Sequence, residues 1–185
     1  MKKFLTGLCF MIGALGCARL NQQQASYSPR FPAEELNIIQ DEKLFNEVRE
    51  VIENGIYELP ETTEPWNGPC EENPVFNNRF QSGYSIASND LFKIVNHKLI
   101  LNISYGGGCG CTQKMMIWDG KLARDDQGNQ VAQLVFSFKN HDACKALKYT
   151  TLMFDLKSIN FGTAEEVLIR INRLPESEIY RPLEN

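Results

Sequence analysis

The chain has 185 residues, 43% of them hydrophobic, and a formal charge of −4. That length suits one domain with a real core. The acidic balance argues against a nucleic-acid partner.

Lys2 and Lys3 open the chain, and Phe4 to Gly16 is an uncharged, mostly apolar run. It is too short for a membrane span and reads as the apolar region of a secretory signal peptide. It ends in Ala14-Leu15-Gly16-Cys17, which resembles a bacterial lipobox, with Ala14 where Leu is most frequent. Acylation of Cys17, by palmitate or a similar chain, would tether the mature protein to a bilayer without spanning it. Ordinary secretion with Cys17 a bystander is the alternative. The expected organisation is a signal peptide over 1–16, a lipidated tether over 17–32 and a single domain over 33–185. Asn21, Gln22, Gln23, Gln24, Ser26, Ser28 and Pro29 make the tether polar. Losing Lys2 and Lys3 takes the charge from −4 to −6. Ala18 after Cys17 carries no inner-membrane retention signal, so the expected destination is the outer membrane.

Asp41 to Asn54 is predicted as a helix, because Leu44, Phe45, Val48, Val51 and Ile52 recur at helical spacing. Asp41 suits the N-cap and Gly55 the left-handed stop. Glu34 to Ile39 is read as an upstream extension, and the helix as cover for an open end of a sheet. Pro60, Pro65, Pro69 and Pro74 then make Leu59 to Asn78 a loop. Trp66 and Phe76 within it read as plugs against the core, with an exposed ligand-stacking Trp66 as the sharper alternative.

Strand patterns follow. Leu91 to Val95 and Lys98 to Tyr105 flank a hairpin tip at Asn96-His97, with His97 solvated. Gln113 to Trp118 ends in the turn signal Asp119-Gly120, and Lys121 to Asn129 reads as a charged loop. Val131 to Phe138, Leu147 to Leu156 and Val167 to Ile171 complete the set. A phase slip between Tyr149 and Leu152 predicts a bulge. Six to seven strands without intervening helices predict an all-β fold, an antiparallel Ig-like β-sandwich with one N-terminal amphipathic helix.

The chemistry-bearing residues centre on Gly106-Gly107-Gly108-Cys109-Gly110-Cys111. With Cys9 removed and Cys17 lipidated, Cys70, Cys109, Cys111 and Cys144 remain. An even count in an exported chain reads as two disulfides, with three connectivities open. A Cys109–Cys144 bridge would close about 36 residues and stabilise by about 4 kcal/mol in the chain-entropy model. It would leave Cys70 for Cys111. Pairing Cys70 with Cys109 and Cys111 with Cys144 is equally open. A direct Cys109–Cys111 bridge would be strained and reducible, hence a redox site.

The same residues allow a soft-metal alternative: Cys109, Cys111, Met115, Met116, His141 and Cys144 for copper(I) or zinc. No paired CxxC or HxxxH spacing supports it, so the expectation is no metal and no cofactor. His141 beside Cys144 sketches a thiol nucleophile with a base, but only if Cys144 is free. No GxSxG, phosphate loop or HExxH is present. Asp125-Asp126-Gln127-Gly128-Asn129 lacks the spacing of a calcium loop and reads as a solvated turn.

The stretch Ser104 to Leu156 resembles a group of small bacterial envelope lipoproteins of unknown function, associated with NigD-like lipoproteins. The resemblance rests on Ser104-Tyr105-Gly106-Gly107-Gly108-Cys109-Gly110, Trp118-Asp119-Gly120, Asp142-Ala143-Cys144-Lys145-Ala146 and Phe154-Asp155-Leu156. It implies a β-sandwich and a link between Cys109 and Cys144. Members often carry a His shortly after the Gly-Cys-Gly, where this chain has Cys111-Thr112, so a His-dependent site does not transfer. Cys111 with Cys70 then looks like a second bridge.

The resulting expectation is a monomeric, lipid-anchored envelope protein that binds or supports a partner and does not catalyse. Trp66, Tyr105, Gly107 and Gly108 are its candidate contact surface. A periplasmic soft-metal binder using Cys109, Cys111 and Cys144 is the first alternative; a hydrolase or enzyme-inhibitor domain is the second.

Overall fold

Apolar residues at every second position dominate the chain from Phe92 onward, and strands follow from that period. The computed structural model describes residues 28–54, 84–86, 92–107, 111–141, 146–172 and 174–182. Its elements are β1 (Ala33–Leu36), β2 (Ile38–Gln40), α1 (Glu42–Asn54), β3 (Tyr84–Ile86), β4 (Phe92–Val95) and β5 (Lys98–Gly106). They continue with β6 (Cys111–Arg124), β7 (Gln130–His141), β8 (Leu147–Asp155), a 3-10 turn (Leu156–Ser158), β9 (Val167–Ile171) and β10 (Ser177–Tyr180). One sheet runs β1-β8-β5-β3, with β4 also paired to β5; the other runs β10-β9-β7-β6-β2.

The chain is β-rich with one helix among the described residues, as expected, but two details of the expectation are corrected. The described residues form ten strands where six to seven were predicted. The sheets are also mixed, not antiparallel: β1 with β8, β2 with β6 and β7 with β9 are parallel. The β7–β9 pair is parallel because β8, between them in sequence, belongs to the other sheet. The chain leaves one sheet, runs back along the other, and returns in its original direction.

Residues 33–40 supply the other two parallel pairs. Glu34 to Ile39 were expected to extend the helix, and the segment instead forms β1 on the edge of one sheet and β2 on the edge of the other. Period-2 burial decides it: Glu34 and Leu36 are partly buried, while Ala33 and Glu35 are exposed. Pro32 anchors the start, its carbonyl accepting from Thr151 N at 3.1 Å and from Thr150 Oγ1 at 3.2 Å.

The two sheets share one hydrophobic cluster. Leu99, Leu101, Ile103, Leu152 and Phe154 come from the first sheet; Met116, Trp118, Leu134, Phe136 and Ile169 come from the second. Phe136 meets Phe154 edge-on at 6.3 Å, and Tyr105 meets Phe138 at 5.0 Å. Each aromatic pair adds about 0.5–1.5 kcal/mol beyond its buried area.

The helix forms where the sequence places it. Asp41 Oδ1 accepts from Leu44 N at 2.9 Å, the N-cap bond. Its apolar stripe does not plug an open end. Phe45 and Val48 lie on the outer face of the second sheet, against Ile117 and Val135, with Leu44, Ile52 and Met115 beside them.

Three local details also differ from the prediction. Asn96 and His97 form the β4–β5 tip with φ of 49° and 61°, the left-handed pair that a two-residue hairpin favours. His97 is not solvated, however: it is half-buried, and its Nδ1 lies 3.1 Å from Tyr180 Oη. Asp119-Gly120 does not end β6 but forms a bulge within it, where the register shifts between Trp118 and Leu122. Gly120 takes φ of 82°, and a Cβ there would lie 2.6 Å from Gln40 Nε2. The turn falls instead at Asp125 to Asn129. Lastly, β8 pairs with β5 without a register shift from Leu147 to Asp155, so the expected bulge is absent. Thr150 occupies an inward position in phase with Leu152, its hydroxyl satisfied by Pro32 O.

Candidate functional site at the mouth of the two sheets

The end of β5, the ends of the β6–β7 pair and the start of β8 converge on one end of the fold. Tyr105 and Gly106 lie opposite Lys148 and Leu147, and Cys111 lies opposite His141 in the β6–β7 register. Two contacts close this end. Gly107 N donates to Ala146 O at 2.7 Å, tying the strand end to β8. Asn140 Nδ2 donates to Gly106 O at 2.8 Å and bridges the two sheets. Of the expected contact residues, Tyr105 and Gly107 therefore sit together at this mouth. Gly108 and Trp66 lie outside the described residues.

Sequence reasoning missed the polar lining. Lys114 falls on the inward phase of β6, with Met116 and Trp118, and its side chain is only 8% exposed. Its Nζ lies 2.7 Å from Glu34 Oε2 and 5.8 Å from the Tyr105 ring centre. Lys114 is thus paired by a carboxylate from β1 and covers an aromatic face, the arrangement that makes a shielded cation tolerable. Asn140 Oδ1 is shut off from solvent and has no hydrogen-bond partner. A buried orphan acceptor costs about 1–3 kcal/mol. The signal for Lys114 was present in the sequence: a lysine in the apolar phase of an alternating strand. Asn140 carried none.

Cys111 is 3% exposed and is one half of a disulfide. Its partner lies outside the described residues, as do Cys17, Cys70, Cys109 and Cys144, so the pairing expected for them is not placed. Of His141 only the backbone position opposite Cys111 is described. Met115 and Met116 lie on opposite faces of β6. Strand alternation sends Met116 into the inter-sheet core and Met115 under α1. Among the described residues, no group of three His, Cys, Asp or Glu side chains could hold a metal ion, and no helix is long and apolar enough to cross a membrane.

Electrostatics elsewhere are local. Burial pushes the Lys139 ammonium below its ordinary value. Burial, then the Asp155 charge, pushes the Tyr180 hydroxyl up. For Asp155 burial opposes ionisation, but the Lys157 backbone N–H and the Lys98 ammonium outweigh it and hold the carboxyl low.

No family model and no curated protein matches the chain. Two solved structures share backbone similarity with it. One, from Parabacteroides distasonis and described as toxin-related, is 16% identical with a TM-score of 0.37, over 60% of this chain and 55% of that one. The other, a protein of unknown function, DUF1344, from Bacteroides vulgatus, is 9% identical with a TM-score of 0.41, over 82% of this chain and 56% of that one. The matched region spans little more than half the length of either protein.

Proposed function

We propose that the protein is a membrane-anchored envelope lipoprotein that works as a non-catalytic binding or structural module. Acylated Cys17 holds it to the bilayer, residues 17–32 act as the tether, and the two sheets form a sandwich-type scaffold. The contact surface is the mouth at Tyr105, with Gly107 buried behind it. The observation that supports the binding role is the polar set gathered at this end: Lys114 paired with Glu34 and lying over the Tyr105 ring, beside the Asn140–Gly106 bond that joins the sheets. The four cysteines of the mature domain rivet this end, with Cys109 joined to Cys144 and Cys70 to Cys111.

Two measurements test the reading. Expression in a bacterium fed an alkyne-tagged fatty acid is expected to label the wild-type protein and place it in the membrane fraction. Cys17→Ser is expected to lose both. A wild-type protein recovered unlabelled in the soluble periplasmic fraction overturns the anchor. A non-reducing peptide map is expected to show Cys70, Cys109, Cys111 and Cys144 all in bridges. Several free thiols together with bound copper or zinc would replace the binding-module reading with a soft-metal protein using Cys109, Cys111 and Cys144.

A further inference from the structure

The large apolar side chains exposed among the described residues are Ile39, Leu147, Tyr149 and Ile179. Two of them are neighbours: Leu147 and Tyr149 lie two apart on β8, 60% and 43% exposed. Leu152 and Phe154 point into the inter-sheet core, so strand alternation turns Leu147 and Tyr149 to the outer face of the first sheet. Phe31 stacks on the Tyr149 ring at 5.1 Å and 21°, enlarging the same patch. The patch therefore sits where residues 17–32 join the domain. From this juxtaposition we infer that Phe31, Leu147 and Tyr149 form a docking face for the bilayer, a second membrane contact beside the acyl chain. The inference rests on the lipid anchor of the proposed function.

The point of attachment is fixed. Pro32 is clamped to β8, its carbonyl accepting from Thr151 N and Thr150 Oγ1. Phe31 is thus held at the patch. Fourteen residues separate it from Cys17, and a chain of that length reaches at most about 50 Å. An acylated Cys17 keeps the patch within that distance of the lipid surface, so a weak contact is enough to hold it there.

The chemistry suits the membrane interface, which takes aromatic rings and leucine with cations at the rim. Arg30 precedes Phe31, and Lys148 lies between Leu147 and Tyr149; both are exposed, and neither makes an ion pair among the described residues. Alternation sends Lys148 to the other face, so it stands at the rim of the patch. The carboxylates of β1 do not offset these charges. Glu34 is spent on Lys114, and Glu35 lies opposite Met153, about 13 Å along β8 from Tyr149.

Area favours a bilayer over a second copy of the chain. Aromatic side chains carry about 150–250 Å² each, so these partly exposed groups present on the order of a few hundred Å². A stable protein interface takes about 800 Å² from each partner. A tethered contact with lipid needs far less. Docking this way leaves α1, on the outer face of the second sheet, turned from the membrane.

The test uses the mature chain from residue 17, 15N-labelled, both acylated and unacylated as Cys17→Ser. Each is mixed with vesicles of phosphatidylethanolamine and phosphatidylglycerol that contain a gadolinium-chelating lipid. The backbone signals of Phe31, Leu147 and Tyr149 are expected to lose most intensity in both forms, and those of Phe45 and Val48 under α1 least. High salt should reduce the loss in the unacylated form. Leu147→Ser should weaken vesicle binding of that form about tenfold, the transfer of a largely exposed leucine side chain, with an unchanged unfolding midpoint. Tyr149→Ser provides a second comparison. The docking face is disproved if the loss is even or falls on α1 in both forms, or if both serine variants bind as their parent does. It is also disproved if the three signals shift with protein concentration without vesicles, the mark of a second copy. Failed fatty-acid labelling at Cys17 overturns the anchor and leaves the unacylated measurement standing. An even loss on an acylated protein overturns the docking face and leaves the anchor.

Discussion

Asp125 shows how one side chain can set a turn. Its two oxygens accept from Gln127 N, Asn129 N, Asn129 Nδ2 and Arg170 Nη2. The Asn129 side-chain bond is the main reason its carboxyl stays below the ordinary carboxylate value; the backbone N–H groups and the Arg170 charge add to it, and burial opposes it. A carboxyl depressed in the folded state stabilises fully above its unfolded pKa of about 3.9 and loses that contribution as pH falls through the folded value. Urea unfolding of wild type and Asp125→Asn should therefore differ most near neutral pH and converge below pH 4 or so. A gap that stays constant with pH would remove Asp125 ionisation from the account. The sequence marked this turn as polar but placed its start at Lys121, since Asp119-Gly120 is the commoner hairpin signal. What defeated that rule is local. The left-handed Gly120 fits beside Gln40, and Trp118 Nε1 bonds Lys121 O at 3.2 Å, so the strand absorbs the pair as a bulge and continues. Thr150 misled the β8 reading in the same way, because a hydroxyl bonded to a distant carbonyl is invisible to hydropathy.

At the scale of elements, α1 was legible because every signal agreed: cap, apolar stripe and acidic first turn. What it packs against was not legible, since that depends on which sheet face is left bare. Phe45 is 2% exposed beneath the helix, against Ile117 and Val135. Phe45→Ala should cost about 3 kcal/mol by leaving a cavity at that seam. Chemical denaturation measures the loss, and circular dichroism should show the strands intact at low denaturant. A loss under 1 kcal/mol or so would mean the helix contributes little to the fold. Residues 33–40 show the opposite case. Their composition suits a helix well enough, and two sheet edges far away in sequence override it. The mouth was half legible: its aromatic and glycine residues stood out, while Lys114 and Asn140 gained meaning only when β1 and β5 came beside them.

Over the whole molecule, the shared core makes the two sheets one thermodynamic unit. Leu101 and Leu134 lie in different sheets and in the same cluster, both wholly buried. Leu101→Ala, in the first sheet, should cost about 2–5 kcal/mol. Hydrogen exchange should then show protection falling by a similar factor in β7 and β9 of the other sheet as in β5 itself. Loss confined to the first sheet would mean the layers open separately. The β-rich class and the described helix came from periodicity, though with too few strands, whereas the parallel pairings did not. They arise because the chain alternates between layers, a property of connectivity that no local pattern records.

The strap at 33–40 has a protective consequence. It covers Thr151 to Phe154 of β8 and Met116 to Trp118 of β6, whose amides and carbonyls would otherwise be open to other chains. β1 and β2 are four and three residues long, too brief to serve as templates themselves. A single protease cut near Asn37 would separate the two edge strands, within eight residues that look, in sequence, like the run-up to a helix.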